Sequence, residues 1–170
     1  MMDRETFFET VVTRSADGDV FFRPILMQFA AHQISQSYRE FYTDHTVLVE
    51  ANLFCMKRFG MDAVGLISDP AREAEAFGAE FEYLEESVPR CTHYPVQTMA
   101  DVEALPEPDI RSSPRTADRI AGARRFRKRL SGDVPIIGWI EGPLAEACDL
   151  VDCSEMLMKL IAWFPAMRRW

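Results

Sequence analysis

Three short stretches place reactive side-chain types just after apolar runs: Gln28 through His32, Ser68 with Asp69, and Glu141-Gly142-Pro143. Asp69 is the sharpest of these, because a carboxylate at a strand end can hold a cationic or NH-bearing ligand or relay a proton. The same residue can instead cap the helix that starts at Pro70, and one side chain can do both. Gln28 and His32 offer hydrogen bonds to a ligand, although a histidine after a strand is more often packed or solvated. Glu141 can act as an acid or base, or simply sit at a helix terminus that favours its charge.

Other groupings carry less chemistry. Cys91 and His93, two apart in RCTHYP, offer two metal ligands with no second pair nearby. Cys148 and Cys153 are five apart, which does not put both on the face of one helical turn, so burial is expected for them. Arg111 to Arg129 contains eight Arg or Lys residues. It reads as a solvated helix surface over Ile120, Ala123 and Phe126, or as a docking face for an acidic protein or phosphate. No P-loop, GxGxxG, GxSxG or HExxH pattern occurs, so kinase, dinucleotide-dehydrogenase and serine-hydrolase readings lose support.

The elements that must position these residues alternate. Asp3 can cap a first helix carrying Phe7, Phe8, Val11 and Val12, with SADGD as its turn, so that 1–19 is a leading helix and turn. VFFRPILMQFA reads as a strand, an amphipathic pattern runs from Ser37 to Arg58 and stops at Gly60, and DAVGLISDP is a second strand. A helix from Ala71 to Phe77 closes at Gly78, AEFEYLEE alternates as a short strand or hairpin arm, and SVPRCTHYPVQ reads as irregular. Thr98 with Asp101 resembles a capping box, Ser113-Pro114 opens a helix to about Leu130, and a third strand begins at Ile136. After it, Gly142 permits a tight corner and Pro143 is preset for a first helical turn.

Strands alternating with helices indicate a parallel sheet whose strand-end loops gather on one functional face. A (β/α)8 barrel takes roughly 250 residues, so three strong strands in 170 residues correspond to less than half of one. The end, KLIAWFPAMRRW, has neither a cap nor a polar tail, which suggests a fragment whose open strand edges would favour self-association. The net charge of -8, from 19 basic and 27 acidic residues, argues against general nucleic-acid binding. The charged start MMDRETFFET and the lack of an apolar run of about 20 residues argue against a secretory leader or a membrane span. Four cysteines without a framework fit a reducing cytoplasm.

Taken in order, FGMDAVGLISDPAREAEAFGAEFEYLEESVP, PVQTMADVEALPEPD and PIIGWIEGPLAEACDL resemble the amino-terminal part of the uroporphyrinogen decarboxylase superfamily, which includes cobamide-dependent methyltransferases. The likeness runs from Arg23 to the carboxyl terminus. It implies a single incomplete α/β domain over 1–170, with 20–170 supplying about three βα units of a (β/α)8 TIM barrel. It makes Asp69 the strand-end aspartate that faces the pyrrole nitrogens in the decarboxylases. Gln28, His32, Ser68, Glu141, Gly142 and Pro143 would then line the substrate or corrinoid site.

In the decarboxylases an Arg-Gln-Ala-Gly-Arg motif clamps substrate carboxylates. This chain has MQFAAHQ there, with Gln28 and His32 at the arginine positions, so the bidentate fork is lost. SYREFYTDHTVLVEANLFCMKRFGMDAV resembles the methyltransferase branch better. That branch implies methyl transfer from a protein-bound methylated corrinoid (a cobalamin relative) to a thiol such as coenzyme M, with zinc activating the thiol. The zinc ligands would lie in a carboxyl-terminal half, with none in this segment, and the isolated chain would be inactive. Uroporphyrinogen decarboxylation in porphyrin biosynthesis and a non-catalytic remnant are the alternatives.

Overall fold

Pro24 has no N–H to give to a sheet, and the segment around it is extended without a strand ladder in the computed structural model, which describes residues 5–7, 9 and 21–167. The first expected strand is therefore absent. Phe22 instead exchanges two bonds with Asp62: its N–H donates to the carboxylate at 2.9 Å and its carbonyl accepts from the Asp62 N–H at 3.0 Å. Met27–Gln33 then forms α1, rich in good helix formers, so Gln28 and His32 sit one turn apart on a helix. The expected leading helix and SADGD turn lie outside the described residues, apart from helical positions 5–7 and 9.

The long pattern from Ser37 to Arg58 is two helices. α2 (Tyr38–Thr43) opens with a capping box between Ser37 and Glu40, and α3 (His45–Phe59) ends at Gly60 in the left-handed region, φ 68. Asp44 divides them: its N–H closes α2 on the Glu40 carbonyl, and its carboxylate accepts from the Thr46 N–H at 2.7 Å to start α3.

β1 (Val64–Gly65) pairs in parallel with β4 (Ile136–Ile137), Val64 opposite Ile136. The Arg23 guanidinium lies across Gly65, where a Cβ would come within 1.8 Å of Nη2. After α4 (Ala71–Ala76), Gly78 turns the chain at φ 100 into β2 (Glu80–Glu82), which pairs antiparallel with β3 (Arg90–His93) across an irregular register. The segment read as irregular thus holds a strand, supplied with partners by the AEFEYLEE arm. α5 (Met99–Ala104) has the expected capping box, with the Thr98 N–H donating to Asp101 at 2.7 Å. α6 (Pro114–Arg129), α7 (Pro143–Val151) and α8 (Cys153–Met167) complete the described chain. None of the described helices is long and apolar enough to cross a membrane.

The chain divides into two compact units, one of 1–68, 85–87 and 118–139, the other of 69–84, 88–117 and 140–170. In the first, α1, α2 and α3 pack on one another around Phe41, Tyr42, Leu48 and Val49, with Tyr38 edge-on to Tyr42 at 5.1 Å. In the second, Ala74, Ala79, Val96, Leu150, Val151 and Met156 form the core, flanked by Phe77, Phe81 and Trp163. The second unit also leaves Ile140, Leu144, Leu157, Met158 and Ile161 exposed.

Phe41 is 1% exposed, and Phe41→Ala is expected to lower the unfolding free energy by about 3–5 kcal/mol in urea titrations. A loss under about 1 kcal/mol would mean that this helical cluster does not hold the first unit together.

Candidate functional site

The second unit buries an ion pair. Asp69 is fully buried, and its carboxylate does two things at once: Oδ1 accepts from the Ala71 N–H at 3.1 Å, starting α4, and Oδ2 accepts from Arg115 Nη2 at 2.5 Å. Arg115, from the first turn of α6, is almost as buried. It also faces Glu75 at 3.6 Å and lies over the Tyr83 ring at 5.4 Å, while the Tyr83 hydroxyl donates to Glu75. Burial opposes the charge on Arg115, but Asp69, Tyr83 and Glu75 outweigh it and hold its pKa above the ordinary value.

Beside this network lies a set of carboxyls. Gly142 caps α7 with Pro143 in its first turn, the elbow expected from the sequence, and the helix carries Glu146 and Asp149 three residues apart. Burial, then the charges of Glu73, Asp149 and Glu141, push the Glu146 carboxyl up to about 7, with Arg72 pulling the other way. Burial, then Glu141, Asp69 and Glu73, push Asp149 up to about 6. These two groups exchange protons near neutral pH, as an acid or base must. Glu73 is held by the buried Arg72 at 2.7 Å.

In the first unit, Gln28 and His32 converge on Glu86. Gln28 Nε2 donates to the Glu86 carbonyl at 3.0 Å and to its carboxylate at 3.1 Å, and His32 Nε2 meets the same carboxylate oxygen at 2.7 Å. Hydrogen bonds from His32 and Gln28 hold the Glu86 carboxyl below its usual range. Ser68 is fully buried, and its carbonyl accepts from the Tyr38 hydroxyl at 2.6 Å. A cavity of about 780 Å³ in this unit is lined by Glu5, Phe7, Arg127, Pro135 and Ile136 among others, and by none of the expected site residues.

Several sequence expectations change. Arg115 and Arg119 are buried rather than part of a solvated face, although Arg125 and Arg129 do reach out to Glu50. Cys91 donates to the His93 carbonyl at 3.3 Å. Cys148 and Cys153, expected to be buried, are half-buried and exposed respectively, because Cys153 opens a new helix after Asp152 turns the chain at φ 83. Arg115, Tyr83, Glu146 and Asp149 were not anticipated. Two acids spaced three apart on the otherwise apolar PLAEACDLV were a readable signal for the last two.

The profile of the family described as uroporphyrinogen decarboxylase (URO-D) matches residues 22–168. The uroporphyrinogen decarboxylase of Xanthomonas oryzae pv. oryzae (strain PXO99A) is 31% identical over 106 residues, which cover 62% of this chain and 29% of that protein. The uroporphyrinogen decarboxylase of Alkalilimnicola ehrlichii is 34% identical over 104 residues, 61% of this chain and 27% of the other. The chain thus spans under a third of these relatives. A solved methyltransferase from Methanosarcina mazei superposes with a TM-score of 0.78 at 21% identity, over 94% of this chain and 48% of that one.

Asp69→Asn leaves Arg115 buried without its counter-charge, and a loss of about 3–5 kcal/mol in unfolding free energy is expected. A change under about 1 kcal/mol would show that the pair does not anchor the second unit. The folded Glu146 carboxyl, at about 7 against an ordinary 4.5, binds its proton more tightly than in the unfolded chain. Its contribution to stability therefore falls as pH rises through that window. Glu146→Gln removes this loss, so its urea midpoint should decline less than the parent's between about pH 5 and about pH 8. Parallel declines would show that Glu146 titrates as an ordinary glutamate.

Proposed function

The chain belongs to the uroporphyrinogen decarboxylase (URO-D) family, as the amino-terminal part of a (β/α)8 barrel, and from that membership we propose that the whole protein transfers a methyl group from a methylated corrinoid to a thiol acceptor such as coenzyme M. The observation that carries this reading is the polarity of α1. A tetrapyrrole polycarboxylate calls for fixed cations, whereas Gln28 and His32 are an amide and an imidazole already engaged with Glu86. The methyltransferase fold of the Methanosarcina mazei protein supports the same branch.

A methylated corrinoid, when bound, supplies a methyl group open to attack by sulfur, the carbon–cobalt electron pair staying with the corrinoid. A thiol that takes the methyl group must lose its proton. Glu146 and Asp149, on α7 after the Gly142-Pro143 corner, are tuned to accept it near neutral pH. Asp69 positions rather than reacts: it anchors Arg115 and starts α4.

A thiol-activating zinc does not fit the described residues. Among them, the one group of three ligand-type side chains within reach of one another is Asp44, His45 and Asp118, which offers no sulfur and has Asp118 already paired with Arg119. We place the zinc ligands in a carboxyl-terminal half, and the protein in the cytoplasm. Decarboxylation of uroporphyrinogen is the second reading, favoured by relatives of that name at 29–34% identity.

The test uses the full-length protein with methylcobalamin and a thiol, following the cobalt spectrum with and without zinc, alongside carbon dioxide release from uroporphyrinogen. Zinc-dependent demethylation is expected, slowed about 100-fold by Glu146→Gln. Carbon dioxide release without methyl transfer would assign the protein to the decarboxylases.

A further inference from the structure

The buried arginines Arg72, Arg115 and Arg119 are each set against a carboxylate, that of Glu73, Asp69 and Asp118 in turn. Arg23 departs from this pattern. It is half-buried, and among the described residues no carboxylate is paired with it; burial acts on its guanidinium and pulls the pKa below the ordinary value. A chain with 27 acidic residues against 19 basic ones has no shortage of counter-charges. The place of Arg23 is nevertheless well defined. Next to it, the two bonds between Phe22 and Asp62 fix the backbone. Its guanidinium lies over Gly65, where a Cβ would stand 1.8 Å from Nη2, 2.8 Å from Cζ and 3.1 Å from Nε, so a larger residue at 65 would expel it.

The neighbouring residue shows which side of the sheet this is. The Leu66 N–H continues the ladder of β1 by donating to the Ile137 carbonyl at 3.0 Å. Its side chain packs on α6, with Cδ2 3.2 Å from where a Cβ on Gly122 would stand. Successive residues of a strand face opposite ways, so Gly65 turns its bare side, and the guanidinium on it, away from α6. In a (β/α)8 barrel that side is the interior. A cation drawn out of water there needs an anion beside it.

We infer that Arg23, seated over Gly65, binds the oxyanion of a small thiol acceptor, a sulfonate or a carboxylate, through the bidentate fork of its guanidinium. That the carrier of the anion is a thiol rests on the methyl-transfer reading, whereas the anion site itself rests on Arg23 and Gly65. One fixed cation suits one charged group and not a polycarboxylate. The contrast with α1 is direct: Gln28 and His32 already hold the Glu86 carboxylate, and no described carboxylate stands between Arg23 and an incoming anion.

Calorimetric titration of the full chain with 2-mercaptoethanesulfonate, 3-mercaptopropionate and neutral 2-mercaptoethanol tests this without any methyl transfer. The two anionic thiols are expected to bind about 10-fold tighter than the neutral one or better, a preference that weakens as salt is added. Arg23→Gln should abolish the preference, and Arg23→Lys, which keeps the charge but not the fork, should retain only part of it. Gly65→Ala, whose methyl group takes the place of the guanidinium, should abolish it with Arg23 still in the chain. Arg23→Gln leaves Gly65 untouched, so it decides the matter if Gly65→Ala does not fold. Equal affinity for the three thiols, or a preference that survives Arg23→Gln, would overturn the site. An Arg23-dependent preference in a full-length protein that demethylates nothing would confirm the anion site and remove the methyl-transfer reading instead.

Discussion

An arginine that has lost nearly all of its water must sit against a carboxylate, and in the second unit this requirement organises everything else. Arg115 meets it with Asp69, and the neighbours fall into place around the pair: Glu75 shares the guanidinium, Tyr83 lies under it, and the second oxygen of Asp69 starts α4. Taking both charges out of water is costly, and their attraction offsets that only when the geometry is held. Nearby on α7, burial and the charges of surrounding carboxylates, Glu73, Asp149 and Glu141 for Glu146, and Glu141, Asp69 and Glu73 for Asp149, move two further carboxyls toward neutral pH.

What was legible in the sequence was local. The Thr98–Asp101 box, the glycines that end helices at 60 and 78, and the Gly142-Pro143 elbow depend on residues within one turn of one another, and all are present. What was not legible depends on distant partners. VFFRPILMQFA has strand composition, but with Pro24 inside and only Asp62 to bond, it divides into an extended segment and a helix. The strand hidden in SVPRCTHYPVQ exists because β2 is there to pair with it. Arg115 looked like any other member of a basic run, since nothing in that run says which arginine points inward. Of the residues expected at the site, Asp69 was read as a cap or a ligand group; its capping bond is present, and its ion pair was unforeseen.

The first unit treats its polar groups differently. Gln28 and His32 do face one place, as side chains one helical turn apart should, and the place is filled by a carboxylate of the same chain. Any anion brought to these two side chains would first have to displace Glu86.

The parallel pairing of Val64 with Ile136 also sets a timetable for synthesis. β1 leaves the ribosome 72 positions ahead of its partner, which at about 5–20 residues per second amounts to roughly 4–14 s. Throughout that interval α1, α2 and α3 can pack on one another, while the edge of β1 has nothing to bond. The helical layer is thus free to form before the sheet, which waits for β4. A chain built in this order has its greatest exposure to wrong partners while it is still being made.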